Sequence, residues 1–135
     1  MVRIVLDDRG MTNPPHPAPL SVIVLGLDPA PSDPKLLAQL LDTTPEALWL
    51  DAHMVALVRP GPEIEAVIDA ERLRHKANQQ GLTLSLGVSC RERATGPLSR
   101  TLDEARVAYD FALALGGNLT LAYSSILDRP RGVAA

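Results

Sequence analysis

The sequence predicts an α+β domain: a ferredoxin-like βαββαβ antiparallel sheet with helices on one face, extended by a C-terminal helix and strand. Short apolar runs typical of strands alternate with segments of helical periodicity in that order. The chain has 135 residues, which suits one domain, and 46% of them are hydrophobic. Because aromatic residues make up only 3%, leucine, valine, isoleucine and alanine must form the core.

The first half of the domain contains three predicted strands and a short helix. Residues 21–27 form a compact, β-branched run that is typical of a central strand. Asp33 followed by Pro34 marks a helix start, and four leucines up to position 41 line one face of that helix. Residues 46–50 and 54–58 are predicted strands, joined by a turn at 51–53.

A second helix and a fourth strand complete the predicted βαββαβ unit. A Pro-Gly-Pro break at 60–62 precedes a helix predicted over 63–80, which ends at Gly81. Basic residues near its C-terminus suit the helix dipole. Residues 82–89 then alternate between apolar and polar, as a half-buried strand does.

A last helix and strand are predicted after this unit. Thr101 and Glu104 have the spacing of a capping box, which predicts that the helix begins there. The glycine pair at 116–117 predicts its end, and residues 119–123 alternate as a closing strand. The domain is therefore expected to span residues 20–127, between a proline-rich tail and linker at 1–19 and a short tail at 128–135.

Composition limits the classes of function. The net charge of −3 gives no support to nucleic-acid binding. No apolar stretch reaches the ~18 residues that would cross a bilayer, and no signal peptide is apparent. The single cysteine, Cys90, excludes an internal disulfide and suits a reducing compartment. We therefore expect a cytoplasmic domain without membrane or nucleic-acid partners.

Three features at the C-terminal end of the domain carry a family resemblance. They are Ser-Leu-Gly-Val-Ser at 85–89, the helical alanines at 105, 108 and 112, and Gly-Gly-Asn at 116–118. Together with the element order, they resemble the GGDEF family, which implies a nucleotide-cyclase-like fold. The opening of the last helix at 101–105 is also similar to the GGDEF-like domain of sugar-diacid and purine-catabolism transcription regulators.

The resemblance also predicts that the chemistry of the family is lost. That chemistry condenses two GTP molecules and needs carboxylates to hold magnesium. The Asp-x-Asp element matches 26–28, where Gly26 replaces the first carboxylate. The signature turn matches 50–54, where Ala52 stands at the metal carboxylate position, and Leu113 stands at a lysine position. We expect no catalytic residue, no metal and no cofactor.

Two functions remain open, since no other catalytic motif is present. The first is a non-catalytic regulatory or protein-interaction domain in bacterial signalling or transcription control, with a protein partner or a homodimer. The apolar face of the helix at 34–41, with Trp49 nearby, is its candidate contact.

The alternative function is a sensor that binds a nucleotide or cyclic di-GMP in the degenerate active-site cleft. Asp28, Asp51 and His53 would remain as its polar group. Arg59, Arg91 or Arg93 would contact phosphate.

Overall fold

A computed structural model describes residues 19–28, 34–41, 47–51, 53–91 and 97–127. The elements follow the predicted order, with one short helix added at the end. Their bounds are β1 (Leu20–Asp28), α1 (Pro34–Leu40), β2 (Leu48–Asp51), β3 (Met54–Pro60), α2 (Glu63–Gln79), β4 (Thr83–Arg91), α3 (Leu98–Ala114), β5 (Thr120–Ala122) and α4 (Tyr123–Leu127). The predicted tails at 1–19 and 128–135 lie outside the described residues, apart from Pro19, and remain predictions.

The five strands form one sheet in the order β2-β3-β1-β4-β5. The first four strands pair antiparallel, with β1 between β3 and β4, which confirms the ferredoxin-like unit. The added β5 pairs parallel to β4 because α3 carries the chain back across the sheet between them, so the whole sheet is mixed.

Helices cover both faces of the sheet. Alternate residues of β1 point to opposite faces, so Ile23 and Leu25 pack in one core and Val22 and Val24 in the other. The first core contains buried residues of α1 and α2, as the prediction of helices on one face requires. The second core contains buried residues of α3, a placement that the sequence left open.

Gly87 allows α3 to lie very close to β4. A Cβ atom at Gly87 would stand 2.2 Å from both the Ala105 carbonyl oxygen and the Tyr109 amide nitrogen. The helix face above it is made of small buried residues, Ala105, Ala108 and Ala112. The alanine spacing that carried the family resemblance therefore has a packing role.

Both long helices end as the glycines predict. At the end of α3, Gly116 N–H donates to the Leu113 carbonyl and Gly117 N–H to the Ala112 carbonyl, which is a Schellman motif. Gly81 ends α2 in the same way, with φ at +77°. No helix among the described residues is long and apolar enough to cross a membrane.

Two predicted boundaries are wrong. Helix α3 begins at Leu98, so Thr101 is buried inside its first turns and is no capping residue. Glu104 instead accepts a hydrogen bond from Ser89 Oγ at 2.8 Å, a contact with the sheet that the spacing could not reveal. Tyr123 does not close the last strand but begins α4.

Candidate functional site

The sequence-predicted site lies where β1 ends beside the β2–β3 hairpin. Gly26 pairs with Met54, and Asp28, the last residue of β1, pairs with Thr83. Asp51 also pairs with Met54, after a bulge in β2 that follows Trp49. The backbones of Asp28, Asp51 and His53 therefore meet at one end of the sheet, although the side chain of Asp28 lies outside the described residues.

The Asp51 carboxylate stabilises the hairpin turn. Its Oδ1 atom accepts a hydrogen bond from the His53 amide at 2.6 Å, which is the local pattern by which aspartate fixes tight turns. Asp51 is exposed, and His53 is half-buried with a buried Nδ1 that has no hydrogen-bond partner among the described residues. This hydrogen bond within the turn explains the position of Asp51, and no bound ligand is needed to explain it.

A tyrosine occupies the space beside Gly26, the position of the missing first carboxylate. A Cβ atom at Gly26 would lie 2.6 Å from the Tyr109 hydroxyl and 2.7 Å from the His53 carbonyl oxygen. Tyr109 comes from α3 and is 6% exposed, within the second core. The end of β1 is therefore packed against α3 and the hairpin, with no room for a larger side chain.

These residues do not fit the divalent cation that the resemblance implies. Mg²⁺ prefers oxygen ligands from carboxylates, and the position that would supply the first of them is filled by the Tyr109 hydroxyl. Within the described ranges, no group of three or more His, Cys, Asp or Glu side chains lies close enough to hold a metal ion.

The arginines proposed to contact phosphate lie at the other end of the sheet. Arg91 pairs with Leu20 and Arg59 with Ser21, at the start of β1 and about 25 Å of strand away from Asp28. Arg59 Nε lies 3.7 Å from Asp69 Oδ2, and Arg91 is buried. The prediction that they join one site with Asp28 is therefore wrong for both, and Arg93 lies outside the described residues.

An ion-pair cluster that sequence reasoning missed secures the loop after α3. Arg74 pairs with Glu71 at 2.8 Å and donates from Nη1 to the Asn118 carbonyl at 3.4 Å. Hydrogen bonding from Arg74 holds the pKa of Glu71 at about 2, below its ordinary 4.5. The backbone N–H of Asn118 donates to Ser85 Oγ at 3.2 Å, so this loop is bound to both α2 and β4. The i, i+3 spacing of Glu71 and Arg74 could have indicated the pair.

The candidate contact on α1 is part of the core. Leu37, Leu40 and Leu41 are 1%, 1% and 5% exposed and pack in the first core, so they offer no surface to a partner. Trp49 is 41% exposed on β2, an edge strand of the sheet. Apart from Trp49, the exposed large apolar side chains among the described residues lie on α2, on α3 and at Leu115, which directly follows α3.

Comparison with known proteins identifies the fold. No protein-family model matches the sequence, and no curated protein does. The GGDEF domain of DgcB from Caulobacter crescentus, solved with c-di-GMP, is 14% identical, with a TM-score of 0.68 over 78% of this chain and 76% of that one.

Two further solved domains agree with this assignment. The active GGEEF domain of a Vibrio cholerae diguanylate cyclase is 18% identical, with a TM-score of 0.62 over 78% of this chain and 83% of that one. The FimX GGDEF domain of Pseudomonas aeruginosa is 21% identical, with a TM-score of 0.64 over 78% and 80%. The likeness to the transcription-regulator variant remains a prediction. The chain has the fold of GGDEF domains.

Proposed function

We propose that this chain is a non-catalytic GGDEF-like module that acts through protein contacts in bacterial signalling or transcription control, in the cytoplasm. The observation that carries the proposal is the close packing of Tyr109 and His53 around Gly26. A carboxylate there would have to displace the Tyr109 hydroxyl and the His53 carbonyl. The sequence of the hairpin supports the same conclusion, since Ala52 stands where the resemblance places the other metal carboxylate.

The loss of these groups bears directly on the reaction. Condensing two GTP molecules places negative charge on phosphate oxygens, and divalent ions held by carboxylates normally stabilise that charge. Leu113, at the lysine position of the resemblance, is one helical turn from Tyr109 and brings no charge. At the positions that the resemblance assigns to them, this sequence therefore has neither the first metal carboxylate nor the lysine.

The second candidate function is binding of c-di-GMP or GTP without turnover. It is favoured by the likeness to the DgcB domain, which was solved with c-di-GMP. The positions of Arg59 and Arg91, at the far end of β1, weigh against it because they cannot contact a phosphate held beside Asp28. We therefore rank it below protein contact.

Catalysis is tested by incubating the purified chain with GTP and Mg²⁺ or Mn²⁺ and measuring cyclic dinucleotide by chromatography and mass spectrometry. We expect no product above a heat-denatured sample, and product formation would contradict the proposal. The matched variant is Gly26→Asp, which we expect to remain inactive and to be less stable. If that variant acquired activity, the packing argument at Tyr109 would be wrong.

Ligand binding and protein contact need separate measurements. Calorimetry with c-di-GMP and GTP decides the second candidate: saturable heat supports it, and no heat at millimolar ligand ends it.

Affinity capture from the source cell tests protein contact. A protein enriched over bare resin at stoichiometric level supports the leading proposal, and the absence of any enriched protein contradicts it.

A further inference from the structure

We draw no further inference here: the strongest candidate, the apolar groove of about 300 Å³ that Phe111, Leu115, Leu121 and Ile126 border where α3, β5 and α4 meet, is an exposed apolar surface, and nothing in the structure shows what covers it.

Discussion

Replacing Gly87 by alanine should loosen the contact between α3 and β4. The added Cβ atom would stand 2.2 Å from the Ala105 carbonyl oxygen and the Tyr109 amide nitrogen, and 2.8 Å from the Ala108 carbonyl carbon. All three are backbone atoms inside a helix, so no side-chain rotation can relieve the contact. Helix α3 has to move away from the sheet, and the contacts of the second core move with it.

The expected decrease in the free energy of unfolding follows from the contacts that the movement of α3 disrupts. Overpacking a core with one methyl group costs about 1–3 kcal/mol. We expect the upper value, about 3 kcal/mol, because the obstruction is rigid backbone. Domains of this kind have roughly 5–15 kcal/mol of unfolding free energy in total. For a chain of this length, the melting temperature should fall by about 10 °C.

Urea denaturation followed by circular dichroism measures the change in unfolding free energy. Gly81→Ala is the matched control, since that position has φ at +77° but no atom within 4 Å of the added Cβ. Its free energy of unfolding should fall only by the strain of an alanine in the left-handed conformation, about 1–2 kcal/mol. If Gly87→Ala lost no more than this control, the close approach of α3 to β4 would be refuted.

Three further predictions concern polar groups and the tryptophan. Since the pKa of Glu71 is lowered from 4.5 to about 2, its ion pair stabilises the fold above pH 4.5, and that stability is lost as the pH falls toward 2. With Glu71 36% exposed, the effect is about 1 kcal/mol after screening, and Glu71→Gln should abolish this part of the pH dependence in urea titrations. Ser89→Ala should cost about 2 kcal/mol because it removes the donor to Glu104, and the double variant with Glu104→Ala should cost less than the sum. Trp49, 41% exposed, should be quenched by acrylamide in the native state, and full protection would contradict its placement on β2.

The strands could be predicted from the sequence because the spacing of apolar residues along each strand agrees with which side chains are buried. Residues 22–27 are apolar throughout, since β1 lies between β3 and β4 and contributes side chains to both cores. The glycines at 81 and 116 marked the ends of α2 and α3 because only a residue tolerant of positive φ fits a Schellman motif cheaply. These are local properties of the chain, and local properties are visible in a sequence.

The contacts of the candidate site are not local, and the sequence could not give them. Tyr109 lies 83 positions after Gly26, and only the parallel crossover through α3 brings its hydroxyl to the end of β1. The charges of Arg59 and Arg91 suit a phosphate held near Asp28, but the antiparallel register places both arginines at the other end of β1. The capping-box spacing was misleading for the same reason, because Glu104 binds a serine on β4.

The packing of Tyr109 against Gly26 also determines what a carboxylate introduced at this position would cost. A glycine in place of a carboxylate would leave a gap if the surroundings stayed unchanged, and gaps in a packed core are costly. Here the gap is filled by an aromatic ring that belongs to the second core and is 6% exposed. An aspartate at position 26 would meet a filled space and no second carboxylate at Ala52, so it would lose packing without gaining a metal ion. A single substitution at position 26 therefore costs stability without completing a metal site.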